Sequence, residues 1–352
     1  MRSNLKHLAV FFCLLTMALV TQSFASGNLA DAEPGSVLVF PLFETGVTLT
    51  PVGAAVPRSQ FEISVSCPNG SVCPDGTDVD IRLHWVCFNN GGLGGICAER
   101  DFTLHTTVNG TILFDPQGNC EPVNSANNFF DTCGNIPPPP CNEGYLLAWV
   151  VDEAGRTIKF DGMIGDSVLR ETPTAVTAYN AFPIQAGAKL ATGASTDLYH
   201  NGNLVFNGQA YKELTNTIIG SVHYDGLDPT TGAVNQTSLI LLTLDTLSNR
   251  FNYPVFVDVN FYNEIEQLNS NNTAFFCGEE VNLGDLGETT TFGIKGLVQS
   301  TRAVKTPVLG IADKSGPVTL LGLVLTREDG GARHYAYPLF NNSIPLPTSF
   351  HP

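Results

Sequence analysis

The feature that most constrains this chain is the alternation of apolar and polar residues along short segments. In FEISVSC (61–67) every second residue is apolar. VDIRLHWVC (79–87) repeats the pattern, with Trp85 on the apolar face and His84 on the polar face. A period of two is typical of β-strands with one buried face. Because helical periodicity is nearly absent, the sequence predicts an all-β protein.

Three other segments are apolar almost throughout, namely GSVLVFPLF (35–43), GYLLAWVV (144–151) and SLILLTL (238–244). Such runs predict central strands that are covered on both faces. Pro41 cannot donate a ladder hydrogen bond, so the first of these strands should lie at a sheet edge or carry a bulge. An alternative is that this first strand pairs with a neighbouring subunit, which would allow self-association.

Gly, Asn, Asp and Pro separate the strands, as in tandem β-sandwiches of the immunoglobulin-like or jelly-roll-like type. The chain is too long for one ordinary core, so we predict two domains, a Cys-rich one at 26–185 and a second at 186–352. AYPLF (336–340) should form the last strand. Short helices are predicted at 125–131 and 211–219.

The first 25 residues have the features of a secretory signal peptide. Arg2 and Lys6 precede a mostly apolar run at 8–20, and small residues lead to Ala25. Removal of residues 1–25 would leave an exported chain without a transmembrane segment. The formal net charge of −16 would become −18, because two basic residues and no acidic one are lost. An acidic surface repels phosphate backbones, so nucleic acid is excluded as a partner.

Eight cysteines follow the predicted signal: Cys67, Cys73, Cys87, Cys97, Cys120, Cys133, Cys141 and Cys277. An even number in an exported chain predicts disulfide bonds. Zinc is disfavoured, because no Cys-x-x-Cys pair occurs and no histidine stands at ligand spacing. Short separations favour the pairs Cys67–Cys73, Cys87–Cys97 and Cys120–Cys133, and Cys141–Cys277 then remains by elimination.

The segment Gly-Asp-Ser that ends at Ser167 resembles the nucleophile block of GDSL-type esterases. Asp197 and His200 match the D-x-x-H pair of those enzymes, which would supply the base and its orienting acid. In such enzymes, however, the serine lies at a strand-to-helix turn near the start of the chain. Here it is central, and no helix is predicted after it. We therefore favour an inert strand, with Ile164 and Val168 or their neighbours facing inward.

Three aspartates in CPDGTDVD (73–80) could bind calcium, namely Asp75, Asp78 and Asp80. Calcium needs six to eight oxygen ligands, and the spacing is not that of an EF-hand. An Asp-Gly turn leading into a strand explains the segment equally well. Calcium is thus the one cofactor that the sequence leaves open, and no other is predicted.

A carboxylate pair is a second candidate for catalysis. Glu264 and Glu266, with Asp258 nearby, would lie roughly 7 Å apart on one face of a strand, a separation suited to an inverting glycosidase. Any solvated strand with this Glu-x-Glu spacing has the same geometry, so we favour a solvated strand face without a catalytic role.

Several segments, in their order along the chain, resemble a family of uncharacterised secreted bacterial β-proteins. They are GSVLVFP, WVCF…GGIC with ERDFTLHTTVNG, PPPPCNEGYLLAWVVDEAGRTI, MIGDSVLRE…AYNAFPIQ, FYNEIEQLNSNNTAFFCGEEVNL and PVLGIAD. The resemblance covers most of the mature chain. It implies export and a β-architecture, and it implies no activity.

These observations predict a secreted, disulfide-stabilised protein without catalytic activity. Its expected role is structural, or the binding of an extracellular protein or glycan at the cell surface or outside the cell. The alternative is a secreted hydrolase that uses Ser167 or a carboxylate pair.

Overall fold

The structure is a computed structural model in which β-strands dominate. It describes residues 33–68, 73, 77–88, 97–123, 135–172, 175–186, 204, 206, 211–212, 214, 216–222, 226–227, 234–244, 255–262, 268–286, 296–305, 316–317, 319–328 and 333–341. Within these ranges there is no α-helix. The predicted all-β fold class is confirmed.

The strands of the first half are β1 (Val37–Glu44), β2 (Val47–Leu49), β3 (Ala55–Pro57), β4 (Ser59–Val65), β5 (Asp78–Cys87), β6 (Glu99–Thr107), β7 (Thr111–Phe114), β8 (Cys120–Val123), β9 (Glu143–Val151), β10 (Met163–Arg170), β11 (Val176–Asn180) and β12 (Phe182–Ile184).

Those of the second half are β13 (Ile218–Val222), β14 (Gly226–Leu227), β15 (Val234–Leu242), β16 (Val255–Tyr262), β17 (Leu268–Phe275), β18 (Gly278–Asn282), β19 (Gly296–Lys305), β20 (Gly316–Pro317), β21 (Leu321–Glu328) and β22 (Arg333–Asn341). A short 3-10 turn, Leu283–Leu286, follows β18.

Antiparallel pairing joins these strands into three main sheets. The first sheet has the order β12-β1-β9-β5-β6 and the second the order β11-β10-β4-β7-β8. The third runs β14-β15-β21-β22-β13-β19-β16-β17, with β18 paired to β15 and β20 to β19. Strands β2 and β3 form a separate hairpin.

Strand β1 is buried along nearly its whole length, as its apolar sequence predicts. It pairs with β9 on one side and with the short β12 on the other. The register with β9 shifts between Phe40 and Phe43, so Pro41 lies in a bulge. A residue in a bulge does not have to donate a hydrogen bond to the neighbouring strand, so proline is tolerated there. The predicted bulge is confirmed. Strand exchange between subunits remains a prediction.

The first sheet packs against the second through aromatic side chains. The ring of Phe40 lies 5.2 Å from that of Phe61, and Trp85 stands near Phe61 and Phe114. Both sheets are built from strands that lie between residues 37 and 184. They enclose most of the largest hydrophobic core.

The same core extends to the third sheet. Ile240, Leu242 and Leu323 belong to the cluster that contains β1 and β9. The Tyr145 hydroxyl donates a hydrogen bond to the carbonyl oxygen of Thr243 at 3.1 Å. Residues Pro34–Pro352 form one compact unit, and the predicted division at residue 185 stays a prediction.

Other predictions about elements can be compared directly. GYLLAWVV and SLILLTL are buried, and AYPLF lies in the last strand, as predicted. The helix predicted at 211–219 is wrong, because Tyr211 makes a β-bridge to Ala186 and Ile218 begins β13. The helix predicted at 125–131 lies outside the described residues.

The disulfides agree only in part with the predicted pairs. Cys67–Cys73 is confirmed. Cys87 bonds to Cys141 and Cys97 to Cys277, so the predicted Cys87–Cys97 and Cys141–Cys277 pairs are wrong. Cys120 is disulfide-bonded, and its predicted partner Cys133 lies outside the described residues.

The register between β5 and β6 explains why Cys87 and Cys97 do not pair. Val86 lies opposite Glu99, and the Cys87 N–H donates to the carbonyl of Ala98. Side chains alternate between the two faces of a strand, so Cys97, one residue beyond Ala98, is out of phase with Cys87. The β5–β9 register instead places Cys87 opposite Gly144, close to Cys141.

Candidate binding site

Ser167 lies in the middle of β10, with its side chain fully buried between two sheets. Its neighbours across the strands are Tyr179 on β11 and Phe61 on β4. Beside it, the Tyr179 hydroxyl donates to the carbonyl oxygen of Leu42. The structure therefore surrounds Ser167 with core residues. Asp197 and His200, its predicted catalytic partners, lie outside the described residues.

Of the two orientations that the sequence left open for β10, the structure has the one in which the neighbours of Ile164 and Val168 face inward. Met163, Gly165, Ser167 and Leu169 are buried, whereas Ile164 is 55% exposed. A Cβ atom at Gly165 would lie 2.6 Å from the Phe40 ring, so the close approach of β10 to β1 at this position requires glycine. Both faces of β10 carry large apolar side chains, so the sequence of this strand alone does not indicate which face is buried.

The proposed calcium ligands are not brought together. Asp75 lies outside the described residues, and Asp78 is exposed at the start of β5. The Asp80 carboxylate contacts Nδ1 of His105 on β6. Across the described ranges, no group of three or more acidic, histidine or cysteine side chains is arranged to hold a metal ion.

The predicted glycosidase pair also remains unplaced. Glu264 and Glu266 lie outside the described residues, and Asp258 is an exposed residue of β16. The carboxylates that the structure does bring together are different ones.

A histidine predicted on a polar face is in fact buried. His84 is only 7% exposed, its ring lies 4.6 Å from that of Trp149, and its Nε2 is 3.2 Å from Asp101. Burial lowers the pKa of His84 to about 4, although the Asp101 charge acts in the opposite direction. His84 is therefore neutral near pH 7.

One polar site formed by the described residues is an open cleft of about 530 Å³ at the end of the first sheet. It is lined by Glu44, Thr45, Gly46, Val47, Arg58, Asn142 and Glu143. Three of these residues continue β1 toward the β2–β3 hairpin, and two lie where β9 begins. The Cys87–Cys141 bond immediately precedes Asn142 and anchors this wall to β5.

Two carboxylates face each other in the cleft. Glu44 and Glu143 form the last paired residues of β1 and β9. Residues directly opposite on antiparallel strands have Cβ atoms about 5 Å apart and point to the same face of the sheet. Next to them, the Thr45 N–H donates to the Asn142 carbonyl at 2.8 Å, and the Thr45 hydroxyl donates to the Asn142 side chain.

These two glutamates belong to a larger group of charges, which we call the junction cluster: Glu44, Arg58, Glu143, Glu171, Glu280 and Arg327. The Arg58 guanidinium donates to the Glu44 carboxylate at 2.9 Å. Arg327 donates to Glu171 at 2.6 Å and to Glu280 at 2.8 Å. Arg58 directly precedes β4 and Glu171 directly follows β10, so these ion pairs join the ends of two strands of the second sheet to the first and third sheets.

Burial and repulsion raise the pKa values of both cleft glutamates. The pKa of Glu143 rises to about 7, first because of burial and then because of the nearby Glu280 and Glu44 charges, while Arg327 acts in the opposite direction. Burial, followed by the Glu171 charge, raises the pKa of Glu44, and Arg58 opposes this shift. At neutral pH, Glu143 is therefore protonated in a large fraction of molecules.

Sequence reasoning missed this pair because its members lie far apart in the chain. Glu44 ends the apolar run of β1, and Glu143 begins that of β9. A carboxylate directly adjoining a fully apolar strand is the one local signal that could have indicated a partly buried charge. The register that places the two glutamates side by side has no local signature.

No helix in the part of the chain that the structure describes has the length and hydrophobicity needed to span a membrane. A scan against protein-family models finds no match, and a search of curated proteins finds none with significant similarity to this chain.

Proposed function

We propose that this chain is an exported, non-catalytic binding protein whose cleft at Glu44 and Glu143 holds a glycan or a similar polyhydroxylated ligand. The observation that carries this proposal is the cleft itself, because its volume falls in the range of ligand sites. Its walls belong to paired strand ends, one of which a disulfide anchors. The part of the site that lies on these strand ends is formed before the ligand arrives, which lowers the entropic cost of binding.

The chemistry of the cleft favours a ligand with many hydroxyl groups. Glu44 and Glu143 supply acceptors, Asn142 supplies both a donor and an acceptor, and Arg58 supplies donors. Sugar hydroxyls can satisfy groups of both kinds at once. Strongly anionic ligands are disfavoured because the whole chain is acidic.

The proposal includes export and the tandem β-sandwich organisation. Three disulfides with described partners support an oxidising compartment. Two five-stranded sheets that face each other across an aromatic core support a sandwich in the N-terminal part.

A hydrolase is the second candidate, and one observation favours it. Glu143 has a pKa of about 7, while the opposing Glu44 carboxylate accepts a hydrogen bond from Arg58. Two carboxyl groups with different environments can divide the roles of general acid and nucleophile in glycoside hydrolysis. In this alternative Glu143 would protonate the leaving oxygen, and Glu44 would attack the sugar carbon or stabilise its charge.

Glycan-array screening of the disulfide-intact protein, followed by calorimetry on any hit, tests the binding proposal. Asn142→Ala should weaken binding about tenfold if a hydrogen bond to the ligand is lost. Asp258→Asn, which changes an exposed carboxylate on β16, should leave the affinity unchanged. Absence of any glycan ligand, or equal affinity of Asn142→Ala and wild type, would overturn the proposal.

Incubation of the bound oligosaccharide with the protein separates the two candidates. A binding protein leaves the oligosaccharide intact, and Glu143→Gln should bind it within about threefold of wild type at pH 6, because the amide resembles the protonated acid. A hydrolase shortens the oligosaccharide, and Glu143→Gln stops the reaction while ligand binding persists. Product analysis by mass spectrometry distinguishes these outcomes.

A further inference from the structure

The junction cluster has more negative than positive groups. Four carboxylates share two guanidiniums, and both guanidiniums are engaged, Arg58 with Glu44 and Arg327 with Glu171 and Glu280. Glu143 is the remaining carboxylate. Its Oε1 is buried and has no hydrogen-bond partner among the described residues. Full ionisation would therefore place an uncompensated charge directly opposite Glu44.

The Glu44–Glu143 pair lies where a charge can affect the β2–β3 hairpin. Glu44 and Glu143 close the β1–β9 ladder, and beyond them the chain enters the β2–β3 hairpin. The hairpin, from Thr45 to Pro57, contains no charged residue, and Val47, Leu49 and Val52 are largely exposed. Its bonds to the rest of the protein include those from Thr45 to Asn142, the residue next to Glu143, and from the Gln117 amide to the Gly46 carbonyl. A change at the Glu44–Glu143 pair therefore acts directly on the base of the hairpin.

We propose that Glu143 is a proton-operated lock, which holds the ends of β1 and β9 and the β2–β3 hairpin in place when it is protonated and releases them when it ionises. The groups that face Glu143 are Glu44 on β1, Glu280 on β18 and Arg327 on β21, with Arg58 and Glu171 bonded to them. Three of these five groups carry negative charge. The inference concerns regulation of the proposed binding site, since hairpin residues Gly46 and Val47 line the cleft.

The raised pKa of Glu143 determines whether low or high pH favours the locked state. The pKa of Glu143 is about 7 in the folded protein and lower in the unfolded chain, where an ordinary glutamate has a value near 4.5. A group whose pKa is higher in the folded than in the unfolded protein stabilises the folded state. This stabilisation is complete when the pH is below the pKa of the unfolded state, and it is lost as the pH rises through the pKa of the folded state. The locked state should therefore be favoured at pH 5 and weakened at pH 8. Burial of Glu44, whose pKa is also raised, acts in the same direction.

Hydrogen–deuterium exchange on the unliganded, disulfide-intact chain tests this inference. Peptides that cover 44–58 and 139–147 are followed at pH 5.5 and pH 8.0, with correction for the intrinsic pH dependence of exchange. Wild type should lose at least about threefold in protection at pH 8.0, since each unit of pKa shift corresponds to about tenfold in equilibrium. Glu143→Gln should lose most of this pH response, and the remainder would come from Glu44.

Glu99→Gln is the matched control. Burial and Asp101 raise the pKa of Glu99 to about 7 as well, but Glu99 lies on β6 and outside the junction cluster. This variant should retain the wild-type response of the hairpin. An unchanged pH response in Glu143→Gln, or no response in wild type, would overturn the lock.

If Glu143→Gln does not fold, carboxyl NMR titration of the wild type replaces it. A midpoint near 7 for Glu143 supports the proposal, and one near 4.5 overturns it. No glycan is present in either experiment, so this inference can fail while the proposed binding function holds, and the reverse is also possible.

Discussion

At the scale of single residues, small side chains decide how closely the first two sheets approach. Gly165 lies on the buried face of β10, where an added Cβ would come within 2.6 Å of Phe40 and 2.9 Å of Leu38. Both neighbours are fully buried and cannot move toward solvent. The absence of a side chain at 165 is thus a packing requirement of the fold.

Gly165→Ala should therefore destabilise the protein by about 1–3 kcal/mol, the usual cost of forcing extra volume into a packed core. Urea unfolding at constant pH measures the change. Ile164→Ala is the control, because this exposed neighbour on the same strand should cost less. Equal destabilisation by the two variants would show that the sheets tolerate a methyl group at 165.

At the scale of elements, a buried tyrosine holds the bulge of β1. The Tyr179 hydroxyl on β11 donates to the Leu42 carbonyl, and the Leu42 N–H donates back to the phenol oxygen at 3.3 Å. Leu42 lies within the register shift, where the ladder to β9 is interrupted. The phenol therefore satisfies two backbone groups that the bulge leaves without a strand partner.

Tyr179→Phe should destabilise the fold by about 1–3 kcal/mol, because it leaves the buried N–H and C=O of Leu42 without a partner. Chemical denaturation gives the free energy, and amide exchange at Leu42 should increase selectively. A loss below about 0.5 kcal/mol with unchanged exchange would mean that the bulge does not depend on Tyr179.

The same scale shows why some elements could be predicted and others could not. β1, β9 and the C-terminal part of β15 (239–242) are apolar on both faces, so their burial follows from composition without knowledge of any register. β10 offers apolar residues on both faces, and the buried face depends on Phe40 and Tyr179, which come from distant strands. Local sequence does not contain that information.

The candidate site depends on long-range register in the same way. Glu44 and Glu143 become neighbours only through the β1–β9 pairing, and the Cys87–Cys141 bond likewise follows from the β5–β9 register. Local motifs instead offered Ser167, which the absence of a predicted helix after it already disfavoured as a nucleophile, and the structure buries this residue in the core. A one-residue change of register exchanges the two faces of a strand, so spacing alone could not identify these contacts.

At the scale of the whole molecule, one covalent bond joins strands from the two halves of the chain. Cys97 lies two residues before β6 of the first sheet, and Cys277 lies between β17 and β18. The bond spans 180 residues of sequence, whereas Cys67–Cys73 spans 6. A larger closed loop restricts the unfolded chain more strongly, so the first bond should contribute more to stability.

Replacement of Cys97 and Cys277 together by alanine should cost about 5 kcal/mol on the chain-entropy estimate, against about 2 kcal/mol for the Cys67 and Cys73 double variant. Urea unfolding of the three oxidised proteins at one pH measures the two differences. The first variant should also expose β15 and β18 to amide exchange, because Cys277 adjoins β18 and the Thr243 N–H donates to its carbonyl at 3.1 Å. Equal losses in the two double variants, with no added exchange in these strands, would show that non-covalent packing of the shared core is sufficient to hold the third sheet in place.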